Sequence, residues 1–400
     1  MRQVSYLSQD TSIRAQCFLA GIISELDTAQ SYPFTCIALS IKGNSQLSGS
    51  STSKVNCVPR RYLPRLQSNG TFTPPEITDN PADIACYIAQ EGGNLLSQLD
   101  LDEYYRLREI WLARGDGFNG VFDSPTGAWQ AHQKVLAVGW AEPVIDMGRI
   151  VPVRDELRTD LGWQLGEDNY TGKFSEERIM PNTSAASDQY DGVEVEYISS
   201  LTWKAATVLV TLPGQAGANP DKLKLFGVVS DSDTLAERMG LRYLRTKKYR
   251  NKIYRFTTEM DALECKKYDP AQLGWHIKNR SQTGRVKEVT GTTLKLSEPV
   301  TFEAGETHYI IVSDQEGKAT GPYTATAGED AYHVIIDTEL TFTPQLDGKI
   351  EPPFYQFGTS KTRSIPALIQ AVKPNGRSSV SVTAHNNDAR VYDDDDHGLS

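Results

Sequence analysis

The segment from Ile77 to Gly148 constrains the fold more than any other part of the chain, because helix start and stop signals mark its boundaries. Asn80 can accept from the free N–H groups of a first helical turn, and Pro81 at the first helical position loses no hydrogen bond. Apolar residues then recur on one face, and Gly92 and Gly93 predict a left-handed stop. We find no catalytic motif in this segment, which indicates a structural role.

Two more helices are predicted in the same segment. One covers Leu101 to Ala113, where apolar side chains at spacings of three and four form a buried stripe that includes Trp111. The other covers Trp129 to Val138, and between them Asn119–Gly120 predicts a tight turn. A short edge segment precedes Arg149–Val153.

Composition limits the protein classes that remain. The chain has 400 residues and a net charge of −10, which argues against a general nucleic-acid coat but is compatible with lining a path for nucleic acid. No run of 18 apolar residues predicts a membrane span, and no signal segment is found at the start. The cysteines are odd in number and widely spaced, so we expect reduced thiols, no zinc site and synthesis in a cytoplasm. They are Cys17, Cys36, Cys57, Cys86 and Cys265.

Most of the remaining chain alternates as strands do, which predicts an α+β fold that is predominantly β. A further helix is expected from a cap among Ser230–Asp233 to about Leu244, and Asn375–Gly376 is the strongest hairpin signal. The predicted strands are Ile13–Gly21, Phe34–Ile41, Val55–Leu63, Val193–Tyr197, Ala206–Leu212, Leu223–Val229, Lys252–Thr258, His333–Thr338, Ser364–Val372 and Ser378–His385.

Short strands spaced about ten residues apart predict a compact five-stranded barrel or sandwich between Gln272 and Ala327. Its strands are Trp275–Lys278, Thr283–Thr290, Thr293–Leu296 and His308–Ser313. The expected domains are a β-rich segment (1–75), a helical α/β domain (76–155), a β-rich domain with one helix (156–271), the barrel (272–328), and a hairpin region with an acidic tail (329–400).

Five pieces of the chain resemble, in the same order, the host-specificity or tail-tip attachment proteins of lambda-like, long-tailed bacteriophages. The first is the helical segment, with its start DNPADIACYIA (79–89) and its turn GFNGVFDS (117–124). The others are the strand Val193–Tyr197, the segment Gly227–Leu244 with Tyr254–Thr258, the barrel-like segments Gly284–Leu296 and Glu298–Val312, and the hairpin Arg363–Val372 with Ser379–Ala384, which ends in Val391–Tyr392.

The resemblance implies a homotrimeric hub at the distal end of the tail tube, with an inserted oligonucleotide-fold-like barrel. It further implies contacts with tail-tube and distal tail proteins, the tape measure protein, and a central fibre or receptor-binding proteins. The hub would close the tube, let phage DNA pass without binding it specifically, and reside in the virion at the tail tip. No enzymatic activity, cofactor or metal is expected. Family members continue into a long fibre whereas this chain stops at Ser400, so we expect a separate protein to recognise the host.

A basic stretch interleaved with tyrosines is the first candidate site. It could bind single-stranded nucleic acid or contact acidic patches such as Glu167–Asp168 on another subunit, but the acidic chain favours a solvated helix face and a charge-protected edge strand. Its members are Arg238, Arg242, Arg245, Lys247, Lys248, Arg250, Lys252 and Arg255, with Tyr243, Tyr249 and Tyr254.

The acidic run Asp393–Asp396 with His397 could hold a hard cation, but a solvated, self-repelling tail is favoured because ligands must converge from a rigid loop. The spacing Gly115-x-Gly117-x-x-Gly120 follows a helix instead of a strand, which argues against a dinucleotide site. No metal-ligand spacing joins the histidines, which are expected to be surface or structural residues. They are His132, His276, His308, His333, His385 and His397.

Two alternative functions stay open. A cell-wall glycan hydrolase needs only two carboxylates that are distant in sequence, although no local catalytic motif is found. A carbohydrate-binding module is suggested only by the aromatic residues Tyr323 and Tyr332, which are expected at the surface.

Overall fold

The computed structural model describes residues 58, 60–179, 190–276 and 281–399, and every element below lies in the unit from Arg60 to Ser400. The predicted strands Ile13–Gly21 and Phe34–Ile41, with the cysteines at 17, 36 and 57, lie outside the described residues.

The predicted helices are confirmed, with small shifts at their ends. Asn80 caps the first, where its Oδ1 accepts from the Ala82 N–H at 3.0 Å. At the end of this helix the left-handed residue is Gly93 (φ +89°), whereas Gly92 has a φ of −75°. The fourth extends to Tyr249, beyond the predicted end at Leu244. The helices are α1 (Pro81–Glu91), α2 (Leu101–Arg114), α3 (Ala128–Ala137) and α4 (Thr234–Tyr249).

Strands make up most of the regular structure, which confirms the α+β, predominantly β fold class. They are β1 (Tyr62–Leu63), β2 (Glu76–Ile77), β3 (Ala141–Asp146), β4 (Arg149–Arg154), β5 (Trp163–Leu165), β6 (Ser175–Arg178), β7 (Gly192–Ser199), β8 (Lys204–Val210), β9 (Pro220–Ser230), β10 (Lys252–Thr258), β11 (Pro270–Leu273), β12 (Gln282–Thr290), β13 (Thr293–Leu296), β14 (His308–Ser313), β15 (Ala319–Ala327), β16 (His333–Ile336), β17 (Phe354–Thr359), β18 (Ile365–Asn375) and β19 (Ser379–Asn386).

One hydrophobic core joins the helical segment to the three-stranded sheet β8-β7-β9. Trp111 and Tyr104 of α2 are fully buried in it, together with Val195 of β7. α4 packs closely on the sheet because Gly240 leaves no room for a side chain: a Cβ there would lie 2.9 Å from Val195 and Val210. Residues on both sides of the predicted 155/156 boundary therefore share this core.

A second core lies under the six-stranded sheet β5-β11-β18-β19-β10-β6. Its centre is the hairpin β18–β19, where Gly376 has a φ of +74°, so the hairpin predicted at Asn375–Gly376 is confirmed. β10 pairs with β19 on one side and β6 on the other, so the predicted edge strand is an interior strand.

The third core fills a closed barrel with the strand order β12-β13-β16-β15-β14-β17. The barrel has six strands and ends at Thr359, so the prediction of five strands ending at 328 is wrong. Closure requires β17, which pairs with both β12 and β14. The described part of the predicted strand Trp275–Lys278 is not a strand, and its remainder lies outside the described residues.

The predicted tight turn at Asn119–Gly120 is wrong, because the backbone N–H groups of this segment bond to distant carbonyls. The Phe118 N–H donates to Asp79 O and the Asn119 N–H donates to Gly227 O, both at 2.7 Å. Gly120 and Gly227 lie against the Phe118 ring, where an added Cβ would approach it to 2.4 and 2.3 Å. These two positions therefore require glycine because the Phe118 ring packs against them, and not because the chain forms a turn there.

Candidate functional site

The basic stretch and the acidic tail, which the sequence suggested were separate and solvated, meet in the structure. We call residues 388–397 the strap; it begins with a short 3₁₀ turn, Ala389–Tyr392, and crosses α4. Arg242 Nη1 contacts Asp395 Oδ1 at 2.8 Å, and Arg245 binds Asp394. Both predicted solvated interpretations are therefore wrong for these residues, since the two opposite charges neutralise each other within the chain.

Asp155 is the buried centre of this network. Arg250 Nη1 and Arg242 Nη2 contact its Oδ2 at 2.6 and 3.1 Å, and the Tyr392 hydroxyl donates to its Oδ1 at 2.8 Å. Burial alone raises the pKa of the Asp155 carboxyl, but the two guanidiniums and the hydrogen bonds from Arg250 and Tyr392 outweigh it and hold that pKa below its usual value. Asp155 therefore ties the end of β4, the end of α4 and the strap together as one ionised cluster.

Further arginines join the strap to the helical segment. Arg238 is 3% exposed, and its Nη2 contacts Asp116 Oδ1 at 2.5 Å while its Nη1 donates to the His397 carbonyl at 3.4 Å. Arg154 Nη2 reaches Asp395 Oδ2 at 3.5 Å. These arginines are committed to carboxylates of the same chain, which removes them as contacts for nucleic acid and removes Asp395 as a free cation ligand.

The Glu167–Asp168 patch does not meet the basic stretch in this chain. Glu167 binds His276, and burial followed by the charges of Glu167, Glu298 and Glu351 raises the pKa of Asp168, although Arg285 opposes that shift. A contact of this patch with another subunit stays a prediction.

Histidines occupy structural positions, as expected for most of them. His132 is 2% exposed, its Nε2 lies 2.6 Å from the Tyr104 hydroxyl, and burial lowers its pKa to about 4. His308 Nε2 accepts from the Glu303 N–H at 3.0 Å, and His397 contacts Glu237. Burial, together with the charge of Arg250, lowers the pKa of His385.

The structure brings together one set of possible metal ligands that sequence spacing missed. Among the described residues, ligand atoms of Glu329, Asp330 and His333 all lie within 4.8 Å of one another. His333 Nδ1 contacts Asp330 at 2.6 Å and its Nε2 contacts Glu329 at 3.4 Å, so the imidazole already bridges both carboxylates. The only sequence signal is an acidic pair three to four residues before a histidine, which is common on solvated turns.

Neither described cysteine has the properties of a nucleophile. Cys86 and Cys265 are free and buried, and desolvation is the main cause that raises both pKa values, that of Cys265 to about 12. The thiolate is the reactive form, so both thiols are inert at neutral pH. Tyr323, expected at the surface, is 4% exposed inside the barrel, whereas Tyr332 is 44% exposed.

Two concave regions are also present, and the larger one is lined in part by Asp155 and Arg250 of the charged network. A groove of about 1400 Å³ runs between the end of α4 and the strand β18, and its wall includes Trp140, Tyr190 and Tyr243. A cleft of about 440 Å³ lies between β5 and the barrel. None of the described helices is both long enough and apolar enough to cross a membrane.

No protein-family model and no characterised protein sequence matches the chain. Among solved structures, the chain is similar to the tail protein from Neisseria meningitidis MC58, with 9% identity and a TM-score of 0.34, over 80% of this chain and 71% of that one. It is also similar to the 43 kDa tail protein of prophage MuSo2 from Shewanella oneidensis, with 9% identity and a TM-score of 0.28, over 77% of this chain and 63% of that one.

Proposed function

We propose that this chain is a structural protein of a bacteriophage tail and that three copies form the hub at its distal tip. The observation that carries the proposal is the order of the five pieces that resemble tail-tip attachment proteins, whose helices and strands adopt fitting elements, although the stretch GFNGVFDS (117–124) does not form the expected turn at Asn119–Gly120. The Asn80 cap starts α1, Val193–Tyr197 lies in β7, α4 leads into β10, a closed barrel follows, and the last hairpin runs into Val391–Tyr392.

The buried position of the Val391–Tyr392 motif is consistent with a structural role. Val391 is 1% and Tyr392 6% exposed, and the Tyr392 hydroxyl donates to the buried Asp155. Together with the arginines of α4, this contact fastens the last residues of the hairpin to the helical segment. A hub that keeps a tube closed until DNA passes needs such internal fastening, and its acidic charge would repel DNA from the lumen.

Two hairpin turns offer surfaces that neighbouring subunits or tail proteins would cover. In the β3–β4 turn, Ile145 and Met147 are 71% and 91% exposed, and in the β7–β8 turn, Leu201 and Trp203 are 75% and 53% exposed. Apolar side chains that are exposed close together commonly mark sites of protein–protein contact. We propose these turns as contacts within the homotrimer or with the tail-tube, distal tail, tape measure and central fibre proteins.

Light scattering of the purified chain tests the trimer. We expect three times the monomer mass, and a double substitution Met147→Ser with Trp203→Ser should lower the trimer fraction. Val121→Ser is the control, because the exposure of Val121 (71%) lies between those of Met147 and Trp203 and it is outside both hairpin turns. A monomer at all concentrations would argue against the hub.

Labelled antibodies against the chain test its position in the virion of the phage that encodes it. We expect labelling at the distal end of the tail in electron micrographs. Labelling along the whole tail, or none, would contradict the tip position, and cleavage of cell-wall glycan by the purified chain would favour the hydrolase alternative.

A further inference from the structure

The cleft of about 440 Å³ at the junction of β5 and the barrel is not used by the proposed hub function. Two backbone hydrogen bonds fix its geometry: the Gln164 N–H donates to Gly317 O at 2.9 Å and the Ala319 N–H donates to Gly162 O at 2.7 Å. Its volume lies within the range of about 300–1,000 Å³ that small-ligand sites occupy. The cleft therefore lies at a hydrogen-bonded junction between the six-stranded sheet and the barrel.

Gln164 lies in the wall of this cleft with an unused amide. The residue is 3% exposed, and among the described residues neither its Oε1 nor its Nε2 has a hydrogen-bond partner. The neighbouring amide nitrogens are engaged: Gln272 Nε2 donates to Leu161 O at 3.2 Å and Gln356 Nε2 to Leu165 O at 3.0 Å. A buried amide without partners is costly, and either a water molecule or a ligand that offers both a donor and an acceptor would satisfy it.

The rim of the cleft carries more carboxylates than cationic groups, although Glu316 is paired with Lys318 at 2.7 Å. Asp261 and Glu264, from the 3₁₀ turn Met260–Glu264, have no ion-pair partner among the residues that the structure describes, whereas Glu351 contacts Arg285 at 3.0 Å. Burial, and then the charges of Glu351 and Asp261, raise the pKa of the nearby Glu259. Five carboxylates and one guanidinium line the cleft: Asp261, Glu264, Asp314, Glu316, Glu351 and Arg285.

We propose that this cleft binds the arginine or lysine side chain of a peptide segment from a partner protein. The cationic head would lie between Asp261 and Glu264, and its N–H groups would also reach Gln164 Oε1. A carbonyl of the peptide backbone would accept from Gln164 Nε2. The pairing of Glu351 with Arg285 already illustrates a guanidinium at this rim.

A bound metal ion fits the cleft less well. Divalent cations need several oxygen ligands within a few ångströms of one point. Among the described residues the convergent set is Glu329, Asp330 and His333, none of which lines this cleft. The carboxylates are spread around the rim, so they suit an extended organic cation. The amide N–H of Gln164 needs an acceptor, so it favours a cation that also carries a carbonyl.

Calorimetric titration of the full chain with three probes tests the site. The probes are the peptide acetyl-Gly-Arg-Gly-amide, the same peptide with neutral citrulline in place of arginine, and spermidine. We expect saturable, salt-sensitive binding of the arginine peptide, and binding of the other two that is weaker by about tenfold. Equal binding of the citrulline peptide or of spermidine would overturn the proposal, as would the absence of saturable arginine-peptide binding.

Substitutions locate the binding. Asp261→Asn with Glu264→Gln should weaken the arginine peptide about five- to tenfold, since two exposed charge contacts are lost. Glu329→Gln, which removes a carboxylate from another surface, should leave binding unchanged. Gln164→Met should weaken binding without lowering the midpoint of thermal unfolding, because it removes an amide that has no partner in the free protein. Equal effects of the control and the rim substitutions would refute the location.

Discussion

Because His132 is buried, we expect the free energy of unfolding to fall in mild acid by an amount that can be calculated. Its pKa is lowered by burial from 6.5 to about 4, whereas the unfolded chain keeps the ordinary value. The unfolded state therefore binds more protons between pH 6.5 and pH 4, and the free energy of unfolding must fall as the pH falls through this window. Each unit of pKa difference is worth about 1.4 kcal/mol, so the full loss is about 3 kcal/mol, and about 2 kcal/mol of it occurs between pH 7 and pH 5.

Urea unfolding of the wild-type chain and of His132→Gln, at pH 7 and at pH 5, measures this term. Glutamine can still accept from the Tyr104 hydroxyl but does not titrate, so the variant should lose about 2 kcal/mol less than the wild type between the two pH values. His276→Gln is the control, because the His276 side chain is 65% exposed. The same pH dependence in wild type and His132→Gln would refute the argument. His385, whose pKa is also lowered by burial, adds to the slope of both proteins equally and cancels from the difference.

Four further predictions concern the packed interior. Asp155→Asn should lower the free energy of unfolding by about 3–5 kcal/mol in chemical denaturation, because it leaves two buried guanidiniums without their shared carboxylate. Tyr392→Phe should cost about 1.5–3 kcal/mol, since one hydrogen bond to an ionised carboxylate is lost, and a larger effect than that of Asp155→Asn would contradict this order. Gly139→Ala should cost about 1–3 kcal/mol in the same assay, because a Cβ there would lie 1.9 Å from Trp111 Nε1, and a stability equal to wild type would count against the close approach. In the native chain Cys86 should react with a thiol reagent only at the rate of unfolding, since it is fully buried and its pKa is raised by desolvation; rapid labelling in native buffer would be incompatible with that burial.

Local signals were reliable where a few neighbouring residues decide the backbone conformation. The Asn80–Pro81 start of α1 and the Asn375–Gly376 hairpin are such cases, because capping and positive φ act within one turn of the chain. The stripe around Trp111 was also predicted correctly, since its spacing of three and four is a property of the helix itself.

Contacts between distant residues explain the failures. Asn119–Gly120 resembles a turn, but the Asn119 N–H bonds to the Gly227 carbonyl and the Phe118 ring packs against Gly120. The barrel was predicted too short because the strand that closes it, β17, follows the other five barrel strands after a long connection.

The sequence by itself determined the helices, most strands, the hairpin and the α+β class, because periodicity and capping are local properties. Only the tertiary structure decided which charged side chains pair with one another. Arg242 and Asp395 are 153 positions apart, yet their side chains meet at 2.8 Å. The composition gives the number of charges but not which of them pair. Because these charges pair, the basic helix α4 and the acidic strap form one largely buried ion-pair network in place of two solvated surfaces.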